Sequence, residues 1–286
     1  MEKRETIQSI REKAARGEKL VMITAYDYCG AGIADKAGVD MILIGDSLGM
    51  VVLGYENTLS VTVDDIVYHT KAVVRGSKKA LIVADMPFMS YQCGWQDAVR
   101  NAGRLLAEGG AEAVKLEGGR RIASTVRRLV EHGIPVMGHL GLTPQSVNVM
   151  GTRLQGNTAA AALELAGDAL LLEKAGVFSL VLEKIPARLA GKISAMLAIP
   201  TIGIGSGGDC GGQVLVYHDL LGFYEDMHLK FVKKYAVLGA EAQKAVADYG
   251  SEVRTGAFPG PEHAWEMAEE EWRDFLSGLK QLYNIK

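Results

Sequence analysis

The chain has 286 residues, 48% of them hydrophobic, which is enough for a well-buried core in one large domain or two ordinary ones. A formal net charge of −3 and a pI near 6.1 give no electrostatic reason to bind nucleic acid or an anionic membrane, so a small-molecule partner is expected. Cys29, Cys93 and Cys210 form no CxxC spacing and leave one thiol over in any pairing, which points to a reducing compartment.

The N-terminal stretch "MEKRETIQSIREKAARGEKL" is charged and amphipathic and predicts a helix without the apolar centre of a signal peptide. No apolar run reaches the roughly 18 residues needed to span a bilayer, and a cytoplasmic protein is expected. Short runs rich in Val, Ile and Leu then follow at "VMITAYD", "MILIGDS", "ALIVADMP", "AVKLEGG", "IPVMGHLG", "SLVLEKIP" and "IPTIGIGSG". Each is apolar enough to be covered on both faces, as parallel strands between helices are. Helical patterns lie between them, among them "YCGAGIADKAG", "TVDDIVYHTKAVVRG", "WQDAVRNAGRLLAEGG" and "AAALELAGDALLLEKAG", several closing on a glycine cap. The eighth strand is the least distinct, with "GGQVLVYHDLLGF" its nearest candidate. No linker interrupts the alternation before a charged tail from about Ser251. This βα repetition predicts one α/β domain over 1–286, a TIM (β/α)8 barrel with an N-terminal helix and a helical C-terminal tail, in preference to a doubly wound sheet.

Several of the strands end on acids: Asp46, Asp85, Glu117 and Glu183. One such residue could simply cap a helix. In a TIM barrel, however, the C-terminal strand ends form the active-site mouth, so all of them would converge there. Crowded carboxylates repel unless a cation or a proton separates them. Hard oxygen donors without a Cys or His cluster suit Mg²⁺ or Mn²⁺ rather than Zn²⁺. In "AVKLEGG", alternation sets Lys115 and Glu117 on one face and Val114 and Leu116 on the other. A Lys and a Glu aimed into the mouth suit chemistry, although a structural ion pair has the same pattern. His139 of "GHLGLTPQS" also falls at a strand end. In "GIGSGGDCGG", Gly203, Gly205 and Gly208 match GxGxxG, but the segment follows a late strand with no helix directly behind it, the wrong setting for a dinucleotide. A loop over the barrel mouth is the expectation there, with a plain turn as the alternative.

The blocks "TAYDY", "GDSLGMVVLGYENTLSVTVDDIVYHTKAV", "ADMPFMSY", "VKLEGG", "GIPVMGHLGLTPQSV", "LVLEKIP", "IPTIGIGSGGDCGGQVLVYHDLLG" and "FPGPEH" occur in this order over about residues 4 to 265. In them the chain resembles the ketopantoate hydroxymethyltransferase family. The resemblance implies a TIM barrel of the phosphoenolpyruvate/pyruvate type and a homo-oligomer, generally a decamer. It implies one Mg²⁺ per subunit and 5,10-methylenetetrahydrofolate as co-substrate. The implied reaction moves a hydroxymethyl unit to 3-methyl-2-oxobutanoate through a Mg²⁺-stabilised enolate, giving 2-dehydropantoate for pantothenate and coenzyme A. The implied metal ligands are Asp46, Asp85 and Glu117; the implied contacts to the 2-oxoacid are Asp46, Ser47, Asp85 and Lys115. Glu183 corresponds to the general base, and Lys115 and His139 complete the catalytic set. The chain departs from the family pattern at Ser206 and Gly208, at Lys184 and at Thr152-Arg153. Another Mg²⁺-dependent 2-oxoacid lyase or aldolase of the same barrel type would keep the acids without needing folate. A catalytically silent barrel would not need Glu183 and Lys115 beside them.

Overall fold

A computed structural model describes residues 4–223 and 229–283. The chain divides into two compact units, one up to Ala236 and one from Val237 onward. The first begins with helix α1 (Ile7–Ala15) and continues through strands β1 (Leu20–Thr24), β2 (Met41–Ile44), β3 (Leu81–Asp85), β4 (Ala113–Glu117), β5 (Val136–Gly141), β6 (Ser179–Glu183), β7 (Thr201–Ile204) and β8 (Gly212–Leu215). All eight strands are parallel, each pairs with the next in the chain, and β8 closes on β1. The barrel predicted from the βα alternation is the fold observed, and its eighth strand lies in the segment that was hardest to read.

Helices α2 (Tyr28–Lys36), α3 (Leu48–Val51), α4 (Val63–Gly76), α5 (Trp95–Ala107), α6 (Ala123–Glu131), α7 (Val147–Met150), α8 (Ala159–Ala175), α9 (Ala187–Met196) and α10 (Tyr217–Leu221) occupy the connections. Their ends show why they form. Thr62 caps α4 by accepting from the Asp65 amide at 3.2 Å, while the Asp65 carboxylate accepts from the Thr62 amide at 2.9 Å. Asp64 and Asp65 also place negative charge at the positive end of the helix dipole. Helix α8 stops at Gly176, whose φ of 103° is left-handed.

Strand alternation divides the core in two. Met22, Leu43, Val83, Met137, Val181 and Val214 point into the barrel, and Ile10 of α1 belongs to the same buried cluster. The alternate positions, such as Ile42, Ile82, Val114, Leu116, Leu180 and Leu182, pack in the cluster shared with the helices. Filling the lower interior with aliphatic layers leaves the C-terminal ends of the strands free for polar groups.

The glycine-rich segment corrects one expectation. Residues 205–211 do not form a cover for the mouth; they carry the chain from the end of β7 back to the start of β8. Lys19 Nζ donates to the carbonyls of Cys210 at 2.5 Å and Gly208 at 3.3 Å, and the Gly211 amide donates to Thr201 Oγ1 at 3.2 Å. A crossover this short is used up in spanning the barrel height. Only its first residue meets the mouth: a Cβ on Gly205 would lie 2.8 Å from the Phe231 ring. The second unit contains helices α11 (Leu238–Thr255) and α12 (Glu269–Tyr283). Among the described residues no helix is long and apolar enough to cross a membrane.

Candidate active site

Towards their C-terminal ends, β3 to β6 turn Asp85, Lys115 with Glu117, His139 and Glu183 inward, continuing the alternation begun by Val83, Ala113, Met137 and Val181 in the barrel interior. These polar residues all line one cavity of about 290 Å³, together with Asp46 and Ser47 from the loop after β2. The structure therefore brings together every site residue expected from the sequence. Lys115 and Glu117 share the inward face as the alternation required, while Val114 and Leu116 are buried on the other.

Lys115 Nζ is 2.8 Å from Asp85 Oδ1 and 3.5 Å from Glu117 Oε1. His139 bridges two acids: Nδ1 lies 3.2 Å from Glu117 Oε1, and Nε2 lies 3.2 Å from Glu183 Oε2. Neither Asp85 Oδ1 nor His139 Nε2 has a partner in hydrogen-bond alignment, so both contacts are electrostatic rather than hydrogen-bonded. Asp85, Lys115, Glu117 and His139 are almost fully buried, whereas the Glu183 side chain is 14% exposed. Glu183 is thus the acid of this group most open to a ligand entering the cavity.

Two backbone features hold Glu183 in place. Gly141 has a φ of 95°, and a Cβ there would lie 2.1 Å from the Glu183 carbonyl, which instead accepts from the Leu142 amide at 2.8 Å. Lys184 follows in the left-handed region with φ 48°, and its side chain reaches across to the Thr152 carbonyl. Thr152 and Lys184, two positions where the resemblance implies a departure, thus meet each other at the cavity.

The electrostatics are those of too many carboxylates for the available cations. Burial, followed by the charges of Asp85 and Glu117, pushes the Asp46 carboxyl well above the usual range. Burial also raises Asp85, against the opposing pull of Lys115. For Glu117 burial is the largest single influence and acts upward, but Lys115, His139 and the Gln145 amide outweigh it and hold the carboxyl low. His139 is pushed up to about 9: burial and Lys115 disfavour its cation, and Glu117 and Glu183 more than reverse them. Lys115 is likewise raised, since the surrounding acids overcome its desolvation.

Gln145 and Tyr91 are structural members of the site that the sequence did not single out. Gln145 Nε2 donates to Asp46 Oδ2 and to the Met86 carbonyl, each at 2.9 Å, and the Gln145 amide donates to Glu117 Oε2 at 2.9 Å. Tyr91 donates to Gln145 Oε1 at 2.7 Å, which fixes the amide orientation. Ser47 is held from the other side by Tyr26, with 2.8 Å between the two hydroxyl oxygens. The only signal for Gln145 was its place in "LTPQS", directly beyond a strand end.

Among the described residues no group of three or more His, Cys, Asp or Glu side chains is arranged so as to hold a metal ion. By donor chemistry, Asp46, Asp85 and Glu117 are the residues that could hold a cation. They are buried oxygen donors with more negative charge than Lys115 offsets, and Asp85 Oδ1 lacks a hydrogen bond. Such a donor set suits a hard divalent ion.

The family model for ketopantoate hydroxymethyltransferase matches residues 4–261. A 3-methyl-2-oxobutanoate hydroxymethyltransferase of Moorella thermoacetica is 57% identical over 264 residues, covering 92% of this chain and 98% of the relative. Among solved structures, a phosphonopyruvate hydrolase superposes with a TM-score of 0.60 at 12% identity, over 98% of this chain and 100% of that one. A 2,3-dimethylmalate lyase of the PEP mutase/isocitrate lyase superfamily superposes with a TM-score of 0.55 at 15% identity, over 96% of this chain and 95% of that one. At such identities the likeness shows the barrel fold alone.

Proposed function

Because the chain belongs to the ketopantoate hydroxymethyltransferase family, we propose that it transfers a hydroxymethyl unit from 5,10-methylenetetrahydrofolate to 3-methyl-2-oxobutanoate, giving 2-dehydropantoate for pantothenate synthesis. The observation that carries the chemistry is the contact of Glu183 with His139, beside but outside the Asp46, Asp85, Glu117 cluster. A proton acceptor is separated there from the groups suited to a metal.

Asp46, Asp85 and Glu117 would hold one Mg²⁺ per subunit. When bound, the ion supplies Lewis-acid polarisation of the 2-oxo group, which makes the neighbouring C–H more acidic. Ser47 offers a hydroxyl to the anionic substrate, and Lys115 sets a fixed positive charge where negative charge develops on the oxo oxygen. Glu183 removes the C3 proton; one water hydrolyses the donor's methylene to formaldehyde with release of tetrahydrofolate, and the enolate carbon attacks that carbonyl, whose oxygen takes up a proton to become the hydroxyl of the new hydroxymethyl group. His139, whose pKa burial lowers but Glu117 and Glu183 push up to about 9, faces Glu183 through Nε2 and orients the carboxylate. The same reading carries a cytoplasmic homo-oligomer, a decamer, whose mass light scattering would give.

Hydrogen exchange tests the base. In D₂O with Mg²⁺ and no folate, the parent protein should exchange the C3 hydrogen of 3-methyl-2-oxobutanoate, seen by NMR as collapse of the methyl doublet. Glu183→Gln retains size and hydrogen-bonding capacity but cannot accept a proton, and should be slower by about 10²-fold or more. Parental exchange in this variant would remove Glu183 from the role. Product formation that proceeds equally without methylenetetrahydrofolate would point to the lyase alternative instead.

A further inference from the structure

Two carboxylates line the cavity outside the metal and proton-transfer groups, the exposed Glu56 and the half-buried Asp219. Asp219 lies in the first turn of α10, just after β8, and lines the same cavity as Glu183 and Asp46. It is half-buried, and its carboxylate has no hydrogen-bond or ion-pair partner among the described residues; Lys234 acts on it only at a distance. Of the other acids lining the cavity, Glu56 is exposed to solvent, and the rest are engaged: Asp46 by Gln145, Asp85 by Lys115, Glu117 by the Gln145 amide, and Glu183 by His139. A partly desolvated anion left unpaired is costly, and the cost is recovered when a ligand brings donors to it.

The 2-oxoacid cannot be that ligand, because it is an anion without an N–H. The one-carbon donor can. Its reduced pterin ring presents N3–H and the 2-amino group side by side, a donor pair that a carboxylate accepts with both oxygens. The cavity that Asp219 lines also carries apolar surface from Val216, Leu229 and Phe231, which suits a flat ring. We propose that Asp219 binds the pyrimidinone edge of the donor's pterin, and so fixes which end of the donor enters the mouth. The inference rests on the folate reading above and adds to it the residue that recognises the ring.

Calorimetric titration with 6-methyltetrahydropterin, which carries the ring without the glutamate tail, tests the assignment in the Mg²⁺-loaded protein with 3-methyl-2-oxobutanoate present. Asp219→Asn should bind this probe at least tenfold more weakly than the parent, since an amide presents one acceptor and one donor where the ring needs two acceptors. Folate-free C3 exchange should stay within about twofold of the parent, which shows that the fold and the proton-transfer groups are intact. Equal binding of the probe by parent and variant overturns the role of Asp219 while leaving the folate reading in place. Loss of exchange in parallel with binding also overturns it, because Asp219 would then serve the barrel or the chemistry instead of the ring. If the parent exchanges the C3 hydrogen but binds neither this probe nor tetrahydrofolate, the folate reading falls and this assignment with it.

Discussion

Asp46 is held against its own charge. Burial first, then Asp85 and Glu117, raise its carboxyl well above the ordinary 3.8, and Lys115 and Gln145 offset this only in part. A carboxyl whose folded pKa lies above its unfolded one weakens the fold as pH rises through that interval, and the penalty persists at neutral pH. Asp46→Asn should therefore raise the metal-free Tm by a few degrees, roughly what 1 kcal/mol does to a chain of this size. The same change should weaken Mg²⁺-dependent binding of the 2-oxoacid, because an amide holds a hard cation less well than a carboxylate. Asp85→Asn should weaken it at least as much. Differential scanning calorimetry without metal, and titration calorimetry with it, read the two effects separately; a lowered metal-free Tm in Asp46→Asn would show that the carboxylate stabilises the fold. Residues such as Asp46, Asp85, Lys115 and Glu117 were legible in the sequence because they interrupt apolar strands. Gln145 and Tyr91 were not, because a polar residue in a loop has no such contrast around it.

At the scale of elements, the outer layer depends on close helix contacts as well as on strand order. Helix α4 ends on Gly76 against the first turn of α2, where a Cβ would stand 2.4 Å from the Tyr28 carbonyl and 3.0 Å from the Ala31 Cβ. Backbone cannot move aside as a flexible side chain would. Gly76→Ala should destabilise the protein by about 1–3 kcal/mol, the usual cost of overpacking, as measured by urea denaturation. Gly76 lies outside the cavity lining, so folate-free exchange per folded molecule should not change. The β7–β8 crossover shows the opposite limit of sequence reading. A glycine run marks backbone that must bend or be approached closely, but it does not say whether that backbone covers a mouth or runs between strand ends.

For the whole molecule, the barrel links metal binding to stability, because the acids come from β3, β4 and the loop after β2 and meet only when the sheet is closed. An ion that binds the folded state alone stabilises it by mass action, about 2.7 kcal/mol at a hundred times its Kd. Saturating Mg²⁺ should therefore raise Tm by several degrees, and chelation should reverse the shift; thermal melts of Asp85→Asn should lose most of it. An equal Mg²⁺ shift in that variant would place the ion elsewhere. The sequence by itself determined the βα repetition, with seven clear strands and a candidate eighth, the strand-end positions of Asp85, Glu117, His139 and Glu183, and the shared face of Lys115 and Glu117. Those follow from local periodicity and from the rule that strand ends face the mouth. Only the tertiary structure decided who meets whom: His139 between Glu117 and Glu183, Gln145 beneath Asp46, Lys184 against Thr152, and Asp219 without a partner. Each of these depends on how residues far apart in the chain are set by barrel closure and loop paths, distances that no local pattern encodes.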